Sequence, residues 1–131
     1  MKRVLGHFAE HIYAIMRIVV GFMFLCHGLQ KVLGLMGHER IPLGSLGGVA
    51  GIIELVCGTL IAIGLLTSWA AFLASGEMAV AYFMVHFPKA FWPIENGGET
   101  AALYSFVFLY MAARGSGSWS VASASGNPDL S

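Results

Sequence analysis

The sequence predicts an all-α membrane protein, a four-transmembrane-helix bundle with both termini on the cytoplasmic side. Three observations lead there. Of 131 residues, 57% are hydrophobic and only 11% charged, whereas a soluble domain carries about a quarter charged residues on its solvated surface. Four apolar segments reach the roughly 17 to 25 residues that span a bilayer as helix, the last only just. None alternates with the period of two that a membrane strand needs, so helices must satisfy the backbone where water is absent. Seven acidic residues balance seven basic ones. That excludes the basic footprint of a nucleic-acid binder and a polybasic membrane-surface segment.

Residues 1–12 read as an interfacial lead-in. Lys2 and Arg3 make a basic start, but His7, Glu10 and His11 interrupt what a signal peptide would keep apolar. The first apolar segment, about 13–35, contains Arg17, His27 and Lys31, and Gly37 to Gly44 with Pro42 forms a polar connection. The second, 46–66, carries one charge, Glu54, and Thr67-Ser68 turns tightly into the third, 68–87, with Glu77 and His86. Pro88 and Pro93 then bracket a boundary segment containing Phe91 and Trp92. Asn96, three residues before Glu99, resembles a capping box opening the fourth segment, 99–115. Gly115-Ser116-Gly117 stops that helix and closes the 13–117 domain, and the Ser-, Ala- and Gly-rich residues 118–131 read as a flexible tail. Lys2, Arg3, Arg17 and Arg114 on the terminal side outnumber Lys31, Arg40 and Lys89 on the other. The excess of one points the termini to the cytoplasm.

A charge at the centre of a spanning helix costs roughly 2.5 to 3.5 kcal/mol, so each needs a reason. Folding the segments antiparallel about their short connections brings His27, Glu54 and Glu77 within about one turn in depth, with Lys31 and His86 about a turn nearer one side. Glu99, Asn96 and Phe91-Trp92 approach from that same side. His27 and Lys31 are four apart and share a helix face. Gly47, Gly51 and Gly58 line up with Glu54, and Ala70, Ala74 and Ala81 with Glu77, which lets neighbouring backbones close around each carboxyl. Lys31, Glu54 and Glu77 are therefore expected to cluster, with Glu54 as the carboxyl that holds a transferable proton. The competing reading is ion pairing that only fixes helix packing. His86 falls nearly opposite Glu77 on an ideal helix, so its convergence on the cluster is not implied. Arg17 is expected to snorkel to the aqueous boundary, and Phe91 and Trp92 to form either an aromatic belt or a ligand platform. Cys26 and Cys57 lie in apolar runs and suit packing; no Cys-x-x-Cys, metal-ligand set or phosphate-binding glycine loop is present.

These residues resemble the DoxX family. His27-Gly28-Leu29-Gln30-Lys31 looks like the Gly-x-x-Lys motif that ends the first helix there. Gly51 to Gly58, centred on Glu54 and followed by Ile63 to Thr67, resembles the second helix and its turn. Met78 to Ala81 with His86, then Asn96 to Glu99, then Gly115 to Ser120, follow in order, so the similarity covers about residues 12–121. Val121 and Ala122 stand where an acidic residue often closes the last motif. The resemblance implies a multi-pass four-helix bundle in the cytoplasmic (inner) membrane. It also implies a link to thiosulfate–quinone oxidoreduction and to membrane oxidoreductase complexes.

The leading functional expectation is a small subunit of a membrane oxidoreductase that handles quinone. A quinone needs an apolar slot, a hydrogen-bond partner at each carbonyl and a proton route. Glu54, Glu77, Lys31 and His27 are the candidates for proton relay or donation, and Trp92, His86, Asn96 and Glu99 for substrate binding. No covalently bound cofactor and no metal are expected; a quinone is the only cofactor implied. The chain has no electron carrier of its own, so a soluble or membrane redox partner must deliver electrons. A bundle this small also suits a homo-oligomer. The alternatives are a proton-coupled exporter using Glu54 and Glu77, and a non-catalytic scaffold in the lipid bilayer.

Overall fold

A computed structural model describes residues 3–131; Lys2, counted above with the basic residues of the terminal side, lies outside them. A 3-10 turn, Gly6–Phe8, leads into α1, Ala9–Leu33, so helical structure starts within the expected lead-in. Helix α2 covers Leu46–Ile63, and α3, Thr67–Ala81, runs on into a π turn, Tyr82–His86. A single turn, α4 (Pro93–Asn96), precedes α5, Glu99–Arg114, and a short α6, Val121–Ser125, follows it. The described residues contain no strand. The stretches Gly6–Leu33, Leu46–Ile63 and Thr67–His86 are each long and apolar enough to cross a membrane. Helix α5 has 16 residues, just under the usual span.

Backbone contact along a glycine seam joins α1 to α2. Gly21 and Gly28 face Gly58 and Gly51 so closely that a Cβ on Gly28 would run into the amide nitrogen of Leu55 and lie 2.6 Å from its Cα. A Cβ on Gly58 would come within 2.5 Å of the Leu25 nitrogen. Without a hydrophobic drive between helices in lipid, such close packing is what holds two spans together. Gly28→Ala is expected to cost about 1–3 kcal/mol through forced separation of the helices. Thermal unfolding in detergent, with Gly44→Ala in the open first connection as control, checks it; equal midpoints for the two would contradict the seam.

Helices α3 and α5 are joined by small residues and a reciprocal hydroxyl pair. Ser75 Oγ donates to the Ser105 carbonyl at 2.7 Å and Ser105 Oγ donates to the Ser75 carbonyl at 3.1 Å, beside buried Ala71, Ala74 and Ala101. Phe24, Ile61, Phe108 and Met111 are completely buried in the interior. Phe22, Trp69, Phe72, Leu103 and Phe106 are all exposed on the outer faces, where lipid is the solvent.

Two expectations are corrected at the end of the bundle that gathers the termini. Arg17 does not snorkel; it is fully buried. Its Nη1 donates to the carbonyls of Ile61 and Ala62 at 2.9 and 3.0 Å, and its Nη2 to those of Ser118 and Trp119 at 3.2 and 2.6 Å. The last carbonyls of α2 lack helical partners and carry the negative end of its dipole, so a buried cation is favoured there. The tail, expected to be flexible, is consequently folded. Ala122 N–H donates to the Gly64 carbonyl at 3.0 Å, Leu66 N–H to that of Leu130 at 2.7 Å, and Ser120 caps α6. The expected capping box is also absent: Gly98, not Asn96, precedes α5, and no side chain caps it.

Candidate functional site

At the opposite end of the bundle, α1, α2, α3 and α5 enclose a cavity of about 440 Å³. Apolar walls come from Phe24, Met78, Ala81 and Val85, and polar groups from His27, Lys31, Glu54, His86 and Tyr104. The size and this pairing of apolar wall with few polar groups suit a small organic ligand. Lys31 and Glu54 form an ion pair, Nζ to Oε1 at 2.6 Å, with Glu54 only 2% exposed. The close approach of α1 and α2 at Gly28 and Gly51 puts the two side chains face to face; Lys31 Cβ would be 2.8 Å from a Cβ on Gly51. A low-dielectric site makes such a pair stable only while both partners remain.

Two buried polar atoms in this wall have no hydrogen-bond partner: Glu54 Oε2 and Tyr104 Oη. Buried polar atoms are nearly always paired, so an unpaired one in a cavity wall marks a place for a ligand or water. Tyr104 stacks on Phe108, with centroids 5.5 Å apart, and tilts against Phe24 at 5.7 Å. His27, exposed, meets the Tyr104 ring edge-on at 6.4 Å. Tyr104 was not among the expected site residues. Its only signal is a phenol midway along a segment whose interior has no charge, where a hydroxyl needs a partner.

Glu77 lies near the pair without joining it. It lines a second cavity of about 330 Å³ between α2 and α3, together with Lys31, Ile53, Val80 and Met84. Its Oε2 has no partner and it forms no ion pair among the described residues. Lys31 thus pairs with Glu54, and Glu77 is the carboxyl without a cation partner among the described residues. Lys31 touches both cavities.

His86 reaches the first cavity because the chain is not an ideal helix there. The π turn, closed by Phe87 N–H to the Tyr82 carbonyl at 2.9 Å, slows the rotation per residue and brings His86 round from the opposite face. Its Nδ1 lies 3.2 Å from the Asn96 carbonyl, and Nε2 makes no hydrogen bond among the described residues. Asn96 itself is a loop organiser rather than a lining residue. Its side chain donates to the Ala90 carbonyl and to Tyr82 Oη, and accepts from Gly98 N–H at 2.7 Å. Trp92 is 60% exposed and, with Phe91, turns away from the cavity, and Glu99 is exposed too. The prolines direct this segment outward, so the aromatic wall is made by Phe24 and Tyr104 instead. Cys26 and Cys57 are free thiols, Cys57 buried, and no group of three or more metal-ligating side chains occurs among the described residues.

An apolar helical bundle that crosses the membrane and buries one ion pair beside a ligand-sized cavity defines a polytopic α-helical membrane protein with an intramembrane polar site. A family model described as DoxX matches residues 12–87. An uncharacterized protein of Haemophilus influenzae is 41% identical over 126 residues, covering 86% of this chain and 90% of the relative. An uncharacterized membrane protein of Mycobacterium tuberculosis is 28% identical over 123 residues, covering 80% and 76%. The chain belongs to the DoxX family. No solved structure matches it.

Proposed function

We propose that the cavity binds the head group of a lipid-soluble quinone, and that the chain is the membrane subunit of an oxidoreductase in the cytoplasmic membrane. The observation that carries this reading is the pair of buried, unpartnered polar atoms, Glu54 Oε2 and Tyr104 Oη, in an otherwise apolar, aromatic-walled cavity. A bound quinone accepts two electrons and two protons to become the quinol. The electrons come from a partner subunit, because no carrier is built from these residues. Tyr104 Oη donates a hydrogen bond to a carbonyl oxygen, while His86 Nε2, an acceptor because its Nδ1–H is held by the Asn96 carbonyl, accepts one from the hydroxyl of the quinol. The Lys31–Glu54 pair holds charge beside them, and Glu77, on the far side of Lys31, is placed to resupply protons.

Glu54→Gln keeps the shape and one acceptor but removes the negative charge. Quinone reduction by membranes containing the complex is expected to fall by about 100-fold or more, with the amount of folded protein much less affected, because the Lys31 side chain is 27% exposed and water can reach it. Full activity in this variant would remove Glu54 from the mechanism. A variant that instead fails to accumulate favours the scaffold reading.

In this reading α5 is a fourth crossing. Its outer face carries exposed Leu103, Phe106 and Tyr110, as apolar as those of the three longer helices. Tyr13 Oη donates to the Gly115 carbonyl at 2.5 Å, so the start of α1 and the end of α5 share one end of the bundle. The excess of one basic residue on that side supports a cytoplasmic end there. In a background lacking Cys26 and Cys57, Lys89→Cys should react with an impermeant reagent applied to intact cells and Ala124→Cys should not. The reverse pattern would invert the topology.

A further inference from the structure

A third cavity, of about 380 Å³, lies at the terminal end of the bundle, remote from the Lys31–Glu54 pair, between the start of the chain and the end of α5. Arg3 and Arg114 line it together with Leu5, Ile12, Met16 and Tyr110. Arg114 Nη2 pairs with Glu10, and its guanidinium carbon sits 4.4 Å from the centre of the Tyr13 ring. Its Nε is buried and has no partner. Arg3 has no ion-pair partner among the described residues. Two guanidinium groups against the single Glu10 carboxylate leave one positive charge in a pocket whose other walls are apolar. Leu5 and Ile12 are half exposed on the outer, lipid-facing side.

We propose that this pocket holds the phosphodiester of an anionic glycerophospholipid, with an acyl chain laid along Leu5, Ile12 and Met16. Guanidinium groups match phosphate oxygens in geometry as well as charge, and Arg114 can keep Glu10 on Nη2 while offering Nε to the phosphate. Basic pockets between helices at the membrane surface take anionic head groups on these grounds. The net charge of the pocket equals that of one phosphodiester with the opposite sign, so a zwitterionic lipid, with its own ammonium to place, gains less.

The test is native mass spectrometry of the full chain in mild detergent, given phosphatidylglycerol and phosphatidylcholine of the same acyl composition in equal amounts. One phosphatidylglycerol is expected to stay bound in about tenfold excess over phosphatidylcholine, the worth of one charge-assisted hydrogen bond. Arg3→Gln and Arg114→Gln should each bring the two lipids close to parity. Glu10→Gln, which removes the competing carboxylate without touching the interior, should raise the excess. Equal retention of both lipids by the unaltered protein would overturn the proposal. So would an excess unchanged by Arg3→Gln or lowered by Glu10→Gln. Displacement of the lipid by millimolar inorganic phosphate would overturn it as well, since the pocket would then be a simple anion site.

Discussion

Arg17→Leu is expected to be the most destabilising single change in the chain. The guanidinium is fully buried and supplies four donors' worth of contact to the carbonyls of Ile61, Ala62, Ser118 and Trp119. Removing it strands those carbonyls at the end of α2 and detaches the tail, with a loss of about 3–5 kcal/mol. That is a large part of the 5–15 kcal/mol by which a typical protein is stable. Arg17→Lys keeps the charge but offers a single nitrogen where the planar fork spans two separate strands of backbone, so roughly half of the loss should remain. Measured in detergent, Arg17→Leu should melt far below the unaltered protein, and Arg17→Lys at a temperature between the two. If the leucine variant melts with the wild type, the tail is not held by this side chain.

Lys31→Met should be the second most damaging change, because it leaves the Glu54 carboxylate, 2% exposed, without its cation. The expected loss is about 3–5 kcal/mol. Lys31→Met combined with Glu54→Leu should recover most of it, since well-packed apolar groups replace a buried ion pair at little cost. Quinone reduction should stay lost in the double variant even though stability returns. That combination separates a pair retained for chemistry from one retained for packing. A double variant that is both stable and active would mean the pair serves neither.

Much of the bundle is legible in the sequence because membrane insertion leaves so few ways to arrange apolar helices. The start of α2 at Leu46 is legible, but its end is not: the apolar run continues to Leu66, whereas Gly64 takes the left-handed conformation at φ +71 and ends the helix at Ile63. The nearness of Lys31 to Glu54 is legible too, from depth and glycine spacing, although the same count assigns Glu77 to that lysine as well and does not say which carboxyl takes it. What escapes is geometry that no pattern of residue types encodes. The π turn at Tyr82–His86 leaves the apolar periodicity almost intact while reversing where His86 points. Arg17 reads as a boundary residue because its partners are backbone carbonyls, which every sequence supplies, and two of them lie about 100 residues away. Trp92 reads as a cavity wall by composition, yet the path between Pro88 and Pro93 takes it outward, and the phenol that replaces it sits in a segment with no charge to mark it.

The central claim is that the cavity bounded by Phe24, Lys31, Glu54, His86 and Tyr104 is a quinone head-group site. Photolabelling with an azidoquinone, followed by mapping of the modified residues, tests it most directly. The expected result is modification concentrated on the peptides carrying His27 to Lys31 and Thr100 to Tyr104, suppressed by excess unlabelled quinone and by Glu54→Gln. Label spread over outward residues such as Phe22, Phe72 and Phe106, indifferent to competing quinone, would contradict it.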